Sequence, residues 1–243
     1  MKQLDADAIE RGIACLARMR QVADSHGAEI RAVATSAVRE AKNKSEFLRR
    51  ARKEANIEIE VISGVEEARL IHLGALHGIG EPEKTMFLCD IGGGSTEIVL
   101  GNEDEEMIAR SFKLGAVRLT DRFFSTAALH PSAVGSCRAF VRSTLMVLQS
   151  EMAELGHEIA VASSGTAETV AKLIHARTGN TDPKTMNRFT FSGKDISETV
   201  KQLASVSTVE ERQKAFNLDK SRSEIILAGA IILEAISDVF GIS

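Results

Sequence analysis

Apolar residues recur at helical spacing from Leu4 through Ile9, Ile13, Leu16, Met19 and Val22, while Glu10, Arg11, Arg18 and Arg20 fall elsewhere. That pattern predicts an amphipathic helix over 5–26, with Asp5 or Asp7 placed to cap its start and Gly27 to end it. A short apolar run at 29–35 reads as a strand, 36–41 as a turn, and 44–55 as a second helix. Ile57-Glu58-Ile59-Glu60-Val61 alternates apolar and acidic residues and reads as another strand over 57–62, followed by a helix from Gly64 to about His77. The order α-β-α-β-α predicts a mainly parallel sheet with helices on its faces. The stretch 78–84, containing Pro82, reads as a loop and divides the chain into domains of 1–84 and 85–243.

Met86 to Leu88 leads into Cys89-Asp90-Ile91-Gly92-Gly93-Gly94-Ser95-Thr96-Glu97 and then a second apolar run to Leu100. This is the pattern of strand, tight glycine loop, strand. A third strand over 107–114 makes an antiparallel meander, and 115–124 reads as a turn and short helix. The remaining pattern predicts one long helix over 131–155, a strand over 158–162, a helix to about Arg177 and a polar loop over 178–188. Helices at 194–205, 208–216 and 221–240 follow, the last broken in its hydrophobicity by Glu234 and Asp238, as a core helix is.

Composition narrows the class. The chain has 243 residues, 44% of them hydrophobic, with 26% charged and a formal net charge of -4. That suits one large or two compact α/β domains, with no basic excess for nucleic acid. No apolar run is long enough to span a membrane and no signal peptide precedes the first helix. Cys15, Cys89 and Cys137 are far apart and odd in number, which reads as reduced thiols of a cytoplasmic protein. His72 and His77 are five apart on one helix, a poor spacing for a shared metal.

The glycine loop carries the clearest chemistry. Three glycines allow φ > 0 and close backbone approach, and their N–H groups with the Ser95 and Thr96 hydroxyls suit a phosphate. Asp90 and Glu97 supply hard oxygen ligands that suit Mg²⁺. Other candidates lie where strands meet helices, the edge at which α/β sheets bind ligands. Glu66 and Glu67 follow Ser63-Gly64; there, acids either complement a helix dipole or include a general base. Arg39, after Thr35 and Ser36, either holds a phosphate or pairs with a neighbouring acid. Ser163-Ser164-Gly165-Thr166 is a plain N-cap or an anion site. Arg118 after Gly115, and Arg222 at the start of the last helix, add cations near the same edge.

Taken in order, Ala34-Thr35-Ser36-Ala37-Val38-Arg39-Glu40-Ala41, Val61-Ile62-Ser63-Gly64-Val65-Glu66-Glu67-Ala68-Arg69 and Asp90-Ile91-Gly92-Gly93-Gly94-Ser95-Thr96-Glu97 resemble the exopolyphosphatase / guanosine pentaphosphate phosphohydrolase family. Lys113-Leu114-Gly115-Ala116-Val117-Arg118, Ser164-Gly165-Thr166 and Arg222-Ser223-Glu224-Ile225-Ile226-Leu227-Ala228-Gly229 extend the resemblance over the whole chain. It implies an α/β fold of two ribonuclease-H-like domains of the actin–Hsp70–sugar-kinase superfamily. The first domain (1–84) would be incomplete, without the family's opening Asp-x-Gly-Ser-Asn-Ser hairpin and closing strand, and the last helix would pack back on it.

The activity implied is Mg²⁺-dependent release of terminal phosphate from inorganic polyphosphate or guanosine pentaphosphate. By motif match Glu67 would activate the attacking water. Asp90 and Glu97 would hold the metal, and Gly92, Gly93, Gly94, Ser95, Arg39, Gly165 and Thr166 would bind phosphates. A homodimer is also implied. The alternatives are a non-catalytic regulator that binds polyphosphate or guanosine tetraphosphate through the same loops, a chain inactive without a partner, or a kinase of the same superfamily.

Overall fold

The structure, a computed structural model, describes residues 3–126, 128–179 and 185–242. The chain divides into two compact units, Met1–Glu67 and Ala68–Ser243. The division falls inside a helix rather than in the 78–84 loop.

In the first unit, α1 (Ala6–Ser25) begins on Asp5, whose carboxylate accepts from the N–H groups of Asp7 and Ala8. Its apolar stripe, Ile9 and Ile13, packs on Ala51 of α3 (Lys44–Ala55), with Leu4, Leu16 and Phe47 around them. Arg50 on α3 reaches across to Glu10 on α1 and along its own helix to Glu54, tying the two helices electrostatically. The strands β1 (Ala32–Ala34) and β2 (Ile59–Val61) are parallel, with Ala34 opposite Val61. Between β1 and α3, the stretch read as a turn forms one turn of helix, α2 (Ser36–Glu40). Its residues carry no Gly or Pro to oppose a helix, and the N–H of Arg39 bonds Thr35 O at 2.8 Å.

The second unit is built on a four-stranded mixed sheet. The meander is β3 (Met86–Ile91), β4 (Thr96–Gly101) and β5 (Glu106–Phe112), and β6 (Ile159–Ser163) lies parallel to β3, giving the order β5-β4-β3-β6. Alternation sorts its residues between two faces. Phe87, Cys89, Ile91, Ile98, Leu100 and Ile108 enter the larger core, shared with α5 (Ala116–Phe123), α6 (Pro131–Leu145), α8 (Ser164–Thr178), α9 (Gly193–Ala204) and α11 (Lys220–Phe240). Met86, Leu88, Val99 and Ala109 face the other way, against Ala68 and Leu76 of α4 (Gly64–Ile79).

The long helix expected over 131–155 is broken by a 3₁₀ turn, Met146–Leu148, into α6 and α7 (Gln149–Leu155). A 3₁₀ turn eclipses residues three apart, and it keeps Leu145 and Leu148 buried while Val147 is exposed. The polar loop read over 178–188 includes residues 180–184, which lie outside the described residues. The last helix, α11, is buried along most of its length. Glu234 is tolerated there because Arg138 of α6 holds it bidentately, at 2.6 and 2.9 Å. Among the described residues no helix is long and apolar enough to cross a membrane.

His72, on the face of α4 against the sheet, is buried with its Nε2 unpartnered, and its ring faces the Gly101 carbonyl. Burial outweighs that carbonyl and the nearby Glu106 charge and pulls the imidazole pKa below its usual 6.5. The fold therefore favours the neutral ring. This stabilisation is complete above pH about 6.5 and is lost as pH falls below it, because the unfolded chain takes up the proton first. We expect the wild type to lose more Tm between pH 7.5 and 5.5 than His72→Gln does. Parallel losses in the two proteins would show that His72 is not the group responsible.

Candidate active site

The β3–β4 hairpin closes over Gly92-Gly93-Gly94-Ser95, with Gly92 N–H donating to Ser95 O at 3.0 Å. None of the three glycines adopts a left-handed backbone, so the expected use of φ > 0 is not what the loop requires. Close approach is. A Cβ on Gly93 would lie 3.2 Å from Val117 Cγ2, and one on Gly115 would lie 2.4 Å from Gly93 O.

That proximity lets α5 bond the loop. Ala116 N–H donates to Gly92 O at 2.9 Å, and Val117 and Arg118 N–H donate to Gly93 O at 3.0 and 3.1 Å. Arg118 Nε donates to Gly94 O at 2.7 Å. Three successive carbonyls are thus drawn toward α5. In a trans peptide the N–H points opposite its carbonyl. The N–H groups of Gly93, Gly94 and Ser95 are therefore turned away from α5, and they make no hydrogen bond among the described residues. Three aligned amides of this kind form an anion-binding concavity. The loop thus satisfies the first amides of α5 with its carbonyls and keeps its own amides for a ligand.

Beneath the loop a polar row crosses the whole sheet. Ser111 on β5 is opposite Glu97 on β4, Glu97 is opposite Asp90 on β3, and Asp90 is opposite Ser163 on β6. Ser111 Oγ donates to Glu97 Oε1 at 2.7 Å, and Ser163 Oγ donates to Asp90 Oδ2. By alternation the row lies on the face shared with Leu88 and Val99, the side opposite α5 and the one toward which the loop amides turn. Glu97 is buried at 2% exposure. Like charges directly opposite across a ladder repel, with Cβ atoms about 4.5–5.5 Å apart. Two carboxylates are the number Mg²⁺ commonly takes from protein when phosphate and water complete its shell. The donor set therefore fits the ion, although no cluster of three His, Cys, Asp or Glu ligands occurs among the described residues.

The other candidates divide. Thr166 is 4% exposed and its hydroxyl donates to Ile91 O at 3.1 Å, beside Ser164 Oγ at 2.8 Å. A hydroxyl has one proton, so Thr166 can offer a phosphate only its backbone amide. Its methyl fits against Gly229 of α11, where a Cβ would lie 2.5 Å away. Thr96 is likewise committed, to Leu114 O at 2.7 Å, whereas the Ser95 hydroxyl makes no hydrogen bond among the described residues. Gly165 makes room for the Arg222 guanidinium, which lies over the first turn of α8; a Cβ there would meet Nη2 at 2.2 Å.

In the first unit Arg39 Nη1 bonds both Glu67 Oε2 at 3.0 Å and Ile62 O at 2.9 Å. The Glu67 side chain is 13% exposed. A glutamate serving only the helix dipole has no need of such a partner, so of the two readings of Arg39 the acid-pairing one describes the structure. Ser111 and the Arg118 contact to Gly94 had no sequence signal, since each depends on strand register or helix entry. Cys89 and Cys137 are buried thiols pushed up to about 12 by desolvation, which makes both inert.

A glycine-loop hairpin carrying paired carboxylates, on a mixed sheet joined to a helix N-terminus, defines a phosphate-handling protein of the actin–Hsp70–sugar-kinase superfamily. Comparison with known proteins narrows this class. The model of the Ppx/GppA phosphatase family matches residues 2–243, and the chain belongs to that family; it is a hydrolase. It is similar to a putative exopolyphosphatase of Haemophilus influenzae, 32% identical over 98% of this chain and 72% of that protein. It is also 32% identical to exopolyphosphatase 1 of Mycobacterium leprae, over 94% of this chain and 67% of that one. Among solved structures it is similar to the Aquifex aeolicus Ppx/GppA family member (TM-score 0.79, 29% identity, 98% of this chain and 76% of that one). The Cytophaga hutchinsonii exopolyphosphatase is also similar (TM-score 0.85, 26% identity, 98% and 76%).

Proposed function

We propose that the chain releases terminal phosphate from inorganic polyphosphate. The observation that carries this reading is the pairing of Asp90 and Glu97 on the side to which the Gly93, Gly94 and Ser95 amides turn. The amides hold phosphate oxygens, and Asp90 and Glu97 hold Mg²⁺, which neutralises phosphate charge when bound. Ser111 and Ser163 keep each carboxylate in place by donating to it. Glu67, by its motif match, takes a proton from the attacking water. As the water oxygen bonds the terminal phosphorus, the bridging P–O bond breaks and the shortened chain leaves. Arg39 is a positioning residue, fixing the Glu67 carboxylate against Ile62 O.

One observation favours a second substrate, guanosine pentaphosphate. A cleft of about 770 Å³ adjoins Ser163 and Ser164 and is walled by Phe87, Phe189 and Phe191, an apolar lining suited to a nucleobase. Parallel assays on polyphosphate and guanosine pentaphosphate, with and without Mg²⁺, decide between them by kcat/KM. Release from neither substrate would leave the binding-regulator reading.

The metal assignment has its own test. Asp90→Asn is expected to lower phosphate release by at least about 10–100-fold and to weaken binding of Mn²⁺ measured by electron paramagnetic resonance without substrate. Unchanged Mn²⁺ affinity together with unchanged turnover overturns it.

A further inference from the structure

A second cleft, of about 740 Å³, opens between the end of α5, the loop after it, α10 (Val209–Phe216) and the start of α11. Arg212 of α10 forms part of its wall and is only 4% exposed. Its Nη1 donates to Ser223 O at 2.9 Å and its Nη2 makes a long contact of 3.5 Å to Val206 O, while Nε is buried with no partner. No carboxylate forms an ion pair with it among the described residues. An arginine is rarely buried unless paired, and it cannot shed its proton. A buried cation that bonds only carbonyl oxygens is left uncompensated.

We propose that this cleft is an anion site, with Arg212 as its cationic wall and a single tetrahedral oxyanion, inorganic phosphate, as its ligand. The Ser125 and Ser207 hydroxyls line the same cleft and make no hydrogen bond among the described residues, so both can donate to the anion. Arg222 also borders the cleft, with its guanidinium turned to Gly165 on α8. Asp121 and Glu224 also line it, and carboxylates beside a single guanidinium leave room for one small oxyanion and oppose a long polyanion. The site lies outside the glycine loop and the Asp90–Glu97 row and does not depend on the catalytic reading above. Inorganic phosphate is what a phosphatase of this family releases, so occupancy of this cleft would rise as product accumulates.

Equilibrium dialysis of the full chain against radiolabelled inorganic phosphate tests this. Two phosphates per chain are expected for the wild type and one for Arg212→Met. Because the Met variant can lose the carbonyl contacts that join α10 to α11, Ser125→Ala/Ser207→Ala is measured beside it, with an expected loss of about three- to ten-fold in affinity at one site only. A crystal of the wild type soaked in tungstate is expected to show an anomalous peak beside Arg212. Overturning results are a wild type that binds at the glycine loop alone, or two sites that survive both variants. Loss of Tm in Arg212→Met with no tungstate at Arg212 in the wild type would make the residue a purely structural staple. Failure of polyphosphate hydrolysis leaves these readouts unaffected.

Discussion

Glu67→Gln is expected to slow phosphate release by about 10²–10⁴-fold, the range for removal of a general base, with little change in Tm or KM. Glutamine matches glutamate in size and keeps an oxygen that can accept from Arg39 Nη1, now 3.0 Å from Oε2. The contact that orders the side chain is therefore retained, and only the capacity to take a proton is removed. An interaction made only in the transition state lowers kcat and kcat/KM together, and that is the pattern predicted. Arg39→Met is expected to reduce kcat by a smaller factor, because it frees the carboxylate without removing it. Wild-type turnover in Glu67→Gln would take Glu67 out of the chemistry. A matching rise in KM would make it a binding residue instead.

The hairpin was the most legible part of the chain because parity does the work. Four residues, Gly92 to Ser95, separate the paired ends Ile91 and Thr96, so Asp90 must fall opposite Glu97. The carboxylate pair thus follows from local spacing. Ser111 does not, since its place beside Glu97 depends on how β5 registers on β4, where the ladder shifts at Leu100/Gly101. Thr166 shows what spacing leaves out. A hydroxyl at a helix start reads as an anion ligand, but here burial against Gly229 and the Ile91 carbonyl claims the side chain. The Arg39–Glu67 pair joins residues 28 positions apart, so spacing alone left Arg39 open between phosphate and acid. The break between α6 and α7 had no Gly or Pro to announce it.

The largest structural effect is expected from the smallest change at the loop, Gly115→Ala. Gly115 has an extended backbone, φ -148° and ψ 151°, that any residue can adopt, so the penalty is purely one of space. The new methyl would lie 2.4 Å from Gly93 O and 2.5 Å from Gly94 C, both backbone atoms that no rotamer change can move aside. Overpacking of this kind costs about 1–3 kcal/mol. Relief requires α5 to withdraw from the loop, which breaks the Ala116, Val117 and Arg118 amide bonds to Gly92 and Gly93. Released carbonyls no longer hold the Gly93, Gly94 and Ser95 amides turned toward the ligand. Gly115→Ala should therefore lose Tm and weaken phosphate binding together, although residue 115 itself offers no group to the ligand. Gly135→Ala is the matched control. Gly135 is exposed on α6 with nothing within 4 Å of its added Cβ, and alanine there should raise stability by about 1 kcal/mol and leave binding unchanged. If Gly115→Ala lowers Tm but binds phosphate as tightly as the wild type, the bonds from α5 do not aim the loop amides.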